Sequence, residues 1–498
     1  MTENLLVTPT IQTNRGALTL PGLFAAMARG KVTDFPALRP HQRPAWHMFL
    51  VQLAVLAQSG QGNTLPEDEE TWRANLRALT PEFDDDAPWH LIVEDPAKPA
   101  FLQPPDPSGL KWSDVATPDA LDMLITSRNH DLKREIAHNA TPQDWLFALV
   151  SLQTMEGFGG AGNYGIARMN GGFSSRAMIG LAPAHLGSAV INASTWWRRD
   201  VLHLSAARKA PIGPALIWCL PWPEKQMLDL HALDPMFIEV CRRVRLREGP
   251  HGMHAKRATS KAPRISAKEA KGMTGDPWAP IHLAESKSLT LGEQDWSYKL
   301  INRLLYGGEW KAPELAASLP EEGTEDMVLI AEAFARGNSK TDGFKSRVIP
   351  IPKAVVKRMF GTQAIEFSKE QIEIIDKIDQ VLRKGLTLIA TEGDYAKRGK
   401  AKYAQPACAQ FSHIADAAFF PDLWDKLGAE TQEGRIQAQN RFVRKLAKAA
   451  RAEFIRAAPA IPCTGIMRPR ADTRGRNAFE GGIRKIFVDL GIEEKEHV

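Results

Sequence analysis

The chain has 498 residues, 44% hydrophobic and 24% charged, with a net charge of +5 at pH 7, values that exclude wholesale disorder and leave room for more than one folded domain. Its four cysteines, Cys219, Cys241, Cys408 and Cys463, show no CxxC spacing, which argues against a zinc site or a disulfide framework and for a reducing, cytoplasmic setting. No signal-like leader and no 18-residue apolar run is visible, so no membrane association is expected.

From the amino terminus, Leu5–Thr8 and Ala17–Leu20 read as a short hairpin leading into a helix that ends near Gly30. Trp46, Phe49, Leu50, Leu53 and Leu56 then form a buried helical stripe. Between about residues 80 and 140 the chain is rich in Pro and Asp with brief apolar runs, a composition suited to long loops. Thr141 as a cap and Pro142 at the first helical position open a helix carrying Trp145, Leu146, Val150 and Leu152. That helix runs into GFGGAGNYGIARMNGGFSSR, from Gly157 to Arg176, where seven glycines fall within sixteen residues. Gly157, Gly159 and Gly162 spell GxGxxG, yet a dinucleotide loop follows a strand, and no P-loop lysine stands here.

Ala215–Leu220 reads as a buried strand, and the alternation over Val240–Arg247 places Arg243, Arg245 and Arg247 on one face. A second hairpin spans Met327 to Pro352, its turn near Gly337–Gly343. Beyond about residue 360 the texture changes. Ser368 forms a capping box with Gln371, and Ile372, Ile375, Ile378, Val381 and Leu382 make a helical stripe. Helical stretches around 408–417, 429–457 and 475–490 complete a set of four, enough to close a bundle. The expected fold is α+β: a large mixed N-terminal domain over 1–360 followed by a C-terminal four-helix bundle over 361–498.

Catalytic patterns are missing from the sequence. GxSxG, HExxH, DFG and Walker motifs do not occur, and His251 with His254, or Asn129, His130 and Asp131, lack a third ligand at short range. The expectation is a non-enzymatic chain with no catalytic residue, metal or cofactor. Cations are more telling. Arg242 to Lys271 holds ten Lys or Arg against two acids. Arg168 and Arg176 flank the glycine loop, Lys340, Lys345 and Arg347 flank the second hairpin's turn, and Tyr395 and Tyr403 are interleaved with cations. The third helical stretch carries Arg435, Arg441, Arg444, Lys445, Lys448, Arg451 and Arg456, followed by Arg468, Arg470, Arg474 and Arg476, so one bundle face is expected to be strongly positive. A solvated basic face is the plain reading of any one run. Several basic loops on separate elements can instead neutralise a phosphate backbone together.

Taken in order, LTLPGLFAAMARG, PAFLQ, the glycine-rich stretch, LDPMFIEVCRRVRL, GDPWAPI, ARGNSKTDGF and a terminal helical bundle resemble the CasA family, the large subunit of type I-E Cascade, a CRISPR RNA-guided surveillance complex. The resemblance covers nearly the whole chain. It implies a subunit that reads the protospacer-adjacent motif in double-stranded DNA, helps open the duplex, steadies the displaced strand and recruits a helicase-nuclease. It puts Asn170, Gly171 and Gly172 in the minor groove beside the motif, with Lys268 or Lys271 reaching it; spacing to Trp278 does not choose between the lysines. It implies a wedge at the hairpin tip, Gly337, Asn338, Ser339 and Lys340. A loop with Asn129, His130 and Lys133 is implied to contact the guide RNA, and Arg441, Arg444 and Lys448 to hold the displaced strand. The implied partners are the guide RNA, the other Cascade subunits, the target duplex and the helicase-nuclease. The alternative class is a free-standing nucleic-acid-processing enzyme with a helical accessory domain.

Overall fold

Every residue from Pro44 to Ala57 of the helix Arg43–Ala57 is buried, so the apolar stripe read from the sequence is one side of a helix enclosed on all sides. It packs against the helices Pro142–Met155 and Ala193–Ala207. Trp46 meets Phe147 edge to face at 5.0 Å, and Trp197 Nε1 donates to the Leu50 carbonyl at 3.2 Å. The computed structural model describes residues 3–58, 64–122, 140–169, 172–184, 190–208, 211–250, 252–320, 322–337, 340–397 and 401–493. It divides into two units, Met1–Trp296 with Gly308–Pro350, and Ser297–Gly307 with Ile351–Val498.

In the first unit the opening strands are Ile11–Thr13 and Gly16–Leu18, not Leu5–Thr8. Leu5 and Leu6 are instead buried in a turn, where Leu5 N–H donates to the Trp89 carbonyl and the Leu5 carbonyl accepts from Leu20. The helix Leu20–Ala28 follows, its first turn closed by the Thr19 hydroxyl accepting from Gly22 N–H. Among the described residues, three three-stranded sheets follow, the smallest of them formed by two-residue strands around Ile281–His282, with a short parallel pair of Leu228–Asp229 and Ile265–Ser266. Of the two larger sheets, one orders Ser113–Val115, Gly252–Ala258 and Arg243–Gly249; the other orders Lys340–Ile351, Met327–Gly337 and Met178–Pro183, with Met327 opposite Pro183 and Glu332 opposite Met178. Ala215–Leu220 is not a strand. Cys219 N–H closes back on the Leu216 carbonyl in a 3-10 turn, and only Leu216 bridges to Ile238. The apolar run there is buried because Trp218 needs a pocket, where its Nε1 donates to the Pro88 carbonyl.

The second unit contains the helices Thr362–Ala390, Gln405–Gly428, Gln432–Ala457 and Arg468–Asp489. The first starts at Thr362, so Ser368 is no cap. It lies buried within the helix and its hydroxyl donates to the Ile365 carbonyl. The helices Thr362–Ala390 and Arg468–Asp489 touch backbone to backbone. A Cβ on Gly385 would sit 2.8 Å from Phe479 Cβ and 3.0 Å from the Gly475 carbonyl, and beside this crossing Phe454 stacks on Phe479 at 4.7 Å. The unit also takes in the helix Tyr298–Tyr306, which the sequence division near residue 360 leaves with the first domain. Tyr298 packs its ring on Phe419 at 4.8 Å, its N–H donates to Asp416, and Lys299 pairs with Asp376 at 2.9 Å. No helix among the described residues is long and apolar enough to cross a membrane.

Candidate nucleic-acid interface

The glycine-rich stretch leaves the helix Pro142–Met155, whose start is closed by a Thr141–Asp144 capping box. Its glycines are spaced for backbone contact with one another. Phe158 N–H donates to the Gly172 carbonyl at 2.7 Å, and a Cβ on Gly157 would overlap the carbonyl oxygens of Ser174 and Gly172. A Cβ on Gly165 would likewise overlap the Gly157 backbone. Between them a tight turn joins Gly159 N–H to the Asn163 carbonyl and Asn163 N–H to the Gly160 carbonyl. The GxGxxG frame is thus used up in packing: Gly157 against 172–174, Gly159 against Asn163 and Arg242, and Gly162 against Thr259. Gly172 N–H donates to the Met169 carbonyl at 2.9 Å; Asn170 and Gly171 lie outside the described residues.

Arg168 and Arg176, expected as surface cations beside this loop, are both buried. Arg168 donates to the carbonyls of Thr274, Pro235 and Phe237 and lies 4.2 Å over the Phe237 ring. Burial, reinforced by the neighbouring Arg176 charge, brings its pKa down to about 10. Arg176 forms a two-pronged pair with Asp276, both contacts at 2.7 Å, and lies over Trp278. Burial works to raise the Asp276 pKa, but the Arg176 guanidinium outweighs it and holds the carboxyl below its ordinary range. The charge that the sequence offers to solvent is spent on fixing the base of the loop.

Under the same turn, Glu239 accepts a hydrogen bond from Ala167 N–H with one oxygen, and its Oε2 has no hydrogen-bond partner. Burial pushes its pKa up to about 7, against the opposing pull of Arg168, the Ala167 N–H and Arg176. The native state therefore holds a proton that the unfolded chain releases near pH 4.5, so stability falls as pH rises from there to about 7. Glu239→Gln, which copies the protonated acid, is expected to flatten this slope. Thermal melts at pH 5 and pH 7.5 should then differ less for the variant than for the wild type, and equal differences would contradict the assignment.

Lys268 and Lys271 are exposed on a neighbouring loop. Lys271 adopts φ +51°, and its N–H donates to the Lys268 carbonyl, which turns the chain sharply enough to present both side chains. A Cβ on Gly272 would overlap the Ser288 backbone nitrogen. The Ser288 hydroxyl donates to the Arg168 carbonyl at 2.9 Å and lies 3.4 Å from the Gly272 carbonyl. One side chain thereby ties the glycine loop to the lysine loop. Two residues on, Thr290 Oγ1 lies 2.7 Å from where a Gly172 Cβ would stand.

The second hairpin joins the same place. The Ser174 hydroxyl donates to the Arg336 carbonyl at 3.1 Å, Ser175 N–H donates to the Phe334 carbonyl, and Phe334 N–H returns a bond to the Ser175 hydroxyl. Arg336 pairs with Glu156, the residue between the helix Pro142–Met155 and the glycine loop, at 3.0 Å. Gly337 ends one strand and Lys340 begins the other; Asn338 and Ser339 between them lie outside the described residues. Gly172, Lys268, Lys271 and the hairpin stem are therefore held on three interlocked segments, although up to 164 residues separate Gly172 from Arg336.

Solved structures of CasA (Cse1) proteins match the chain over nearly its whole length. A CasA (Cse1) structure from Thermus thermophilus matches with a TM-score of 0.68 at 17% identity, covering 97% of this chain and 99% of that one. Cse1 of Acidimicrobium ferrooxidans matches with TM-score 0.64 at 14% identity over 97% and 99%, and Cse1 of Thermobifida fusca with 0.68 at 12% identity over 98% of each chain. The chain has the CasA fold. No family model matches the sequence, and no curated protein matches it.

Within this CasA fold the 242–271 run is not the continuous basic surface its composition suggests. Arg243, Arg245 and Arg247 do share a strand face, but Arg245 is buried and donates to the carbonyls of Val93, Lys98 and Gln103, while Arg247 donates to Glu94. Arg242 is buried against the Gly157 carbonyl and Glu156, and Arg243 and Arg264 lie over the Trp222 ring. Lys345 pairs with Asp295, and Arg347 donates to the Trp296 carbonyl. The bundle face is also less positive than expected. Arg441 stands 3.9 Å from Asp425, Lys445 2.9 Å from Asp422 and Arg451 3.0 Å from Glu480; Arg444 donates to the Glu493 carbonyl, and Lys448 is exposed. Asn129, His130 and Lys133 lie outside the described residues, as does His251. Among the described residues no group of three or more His, Cys, Asp or Glu could hold a metal ion. Ser288, Glu156 and Glu239 were not legible as site residues, because nothing local marks a serine or a glutamate as the tie between distant loops.

Proposed function

We propose that this chain is the large subunit of a type I-E Cascade complex and reads the protospacer-adjacent motif of double-stranded DNA. The observation that carries the reading is the interlocking of the glycine loop, the lysine loop and the hairpin stem within a CasA fold. A glycine at 171 permits close backbone approach to a groove floor, with Gly172 beside it packed on Thr290, and minor-groove edges are degenerate, so such a loop accepts several related motifs. Lys268 or Lys271 reaches the same motif from the adjacent loop. The wedge that parts the first base pairs is assigned to the turn sequence Gly337, Asn338, Ser339 and Lys340. Guide RNA contacts fall to Asn129, His130 and Lys133, and displaced-strand contacts to Arg441, Arg444 and Lys448 on the bundle. The guide supplies sequence specificity by base pairing, while the protein reads only the short motif. In this reading the subunit is cytoplasmic and non-enzymatic, and works with the guide RNA, the other Cascade subunits and a helicase-nuclease.

Lysine substitutions in the assembled complex separate motif reading from general charge. The lysine that reads the motif should, when changed to alanine, weaken motif-bearing duplex strongly and motif-free duplex little. The other should weaken both alike and lower the salt slope by about one unit. A wild-type complex that binds both duplexes equally would refute the reading.

A further inference from the structure

Phe173 follows Gly172 and is 44% exposed, an unusual position for a phenylalanine. It is firmly placed. Its ring lies 5.7 Å from that of Phe158 at an interplanar angle of 67°, and Phe158 in turn lies 6.1 Å from Tyr164, whose hydroxyl reaches the Lys261 carbonyl. The backbone on either side is pinned, since the Gly172 carbonyl accepts from Phe158 N–H and the Ser174 hydroxyl donates to the Arg336 carbonyl. The lysine loop next to it exposes Met273 by 54%, beside the exposed Lys268 and Lys271.

We infer that Phe173, backed by Phe158, is a stacking platform for a nucleobase of the bound DNA, a contact separate from the glycine backbone and the lysines. The inference rests on the proposed DNA-binding reading. A flat apolar ring, on a loop that Ser288 ties to the loop carrying two exposed lysines, matches a ligand that is itself flat and carries negative charge on its flank, which describes a nucleotide. Single-strand binders use aromatic rings in this way, and minor-groove binders insert apolar side chains at a base step. The ring is already ordered by Phe158 and by the hydrogen bonds on both sides, so little side-chain freedom is lost when a base arrives. The serines after Phe173 bond to Phe334 and Arg336, close in sequence to the turn assigned as the wedge, where an unstacked base would first become available.

The test uses the assembled complex and a motif-bearing duplex with 2-aminopurine at the base step next to the motif. Wild type should quench the probe on binding. Phe173→Ala and Phe173→Leu should leave it bright and bind about ten-fold more weakly or worse, in line with base–aromatic stacking. Phe173→Trp, which restores a π face, should quench again. Because Phe173 is partly exposed, thermal melts should find all three variants folded. If Phe173→Leu quenches and binds as wild type does, the ring makes only an apolar contact and the stacking inference falls, with motif reading intact. If Phe173→Ala matches wild type, the residue has no role in binding. If the wild-type complex itself does not prefer the motif, the proposed function and this inference fall together.

Discussion

Gly157→Ala should abolish binding of motif-bearing duplex by the assembled complex while leaving the helical unit folded. The added Cβ would overlap the carbonyl oxygens of Ser174 and Gly172, and these are backbone atoms that cannot rotate away. Segment 172–175 would have to move. With it would go the Phe158–Gly172 hydrogen bond and the serine bonds to Phe334 and Arg336 that seat the loop on the hairpin stem. Overpacking a buried contact commonly costs about 1–3 kcal/mol, and a clash of backbone with Cβ stands at the upper end of that range. Paid as a displaced loop, 3 kcal/mol corresponds to roughly a 100-fold loss of affinity. Gly160→Ala is the control. Gly160 has φ +107° but nothing within 4 Å of its Cβ position, so only backbone strain of about 1–2 kcal/mol opposes the change. Fluorescence anisotropy on labelled duplex, with circular dichroism for helix content, measures both quantities. Wild-type affinity in Gly157→Ala would remove the loop from the interface.

Asp276→Asn should produce the largest loss of stability. Arg176 is buried, and Asp276 supplies both oxygens of its pair. Removing one partner of a buried pair leaves an uncompensated charge, at a cost of about 3–5 kcal/mol. Replacing both at once, Arg176→Met with Asp276→Leu, should recover much of that cost because neither member of the pair is then left charged without the other. The acid dependence follows from the depressed carboxyl. Asp276 contributes stability above the ordinary carboxylate pKa, and loses it as pH falls through its lower folded value. The gap between wild type and Asp276→Asn should therefore be wide at pH 7 and narrow in strong acid. Urea unfolding followed by tryptophan fluorescence at both pH values reads this, and a gap independent of pH would contradict the pairing.

Local signals in the sequence were enough for much of the chain. The Thr141–Pro142 start, the stripe from Trp46 to Leu56, the hairpin over Met327–Pro352 and the four C-terminal helical stretches depend on periodicity, turn residues and capping among residues a few positions apart, and a linear reading captures those. The α+β class follows from them. What the sequence could not decide was the fate of each charge and each glycine. Arg168 and Lys268 look alike in a cation count, yet one is desolvated by carbonyls from residues 67 to 106 positions away while the other stands in water. Ser368 carried a capping pattern that an earlier helix start overrode, and Ala215–Leu220 had strand composition but coiled to bury Trp218. The sequence alone therefore determined which elements form and what charge the chain carries. Only the tertiary structure decided which cations remain free for an anion and which glycines are spent on packing, because desolvation and backbone approach are set by atoms that the fold brings from distant positions.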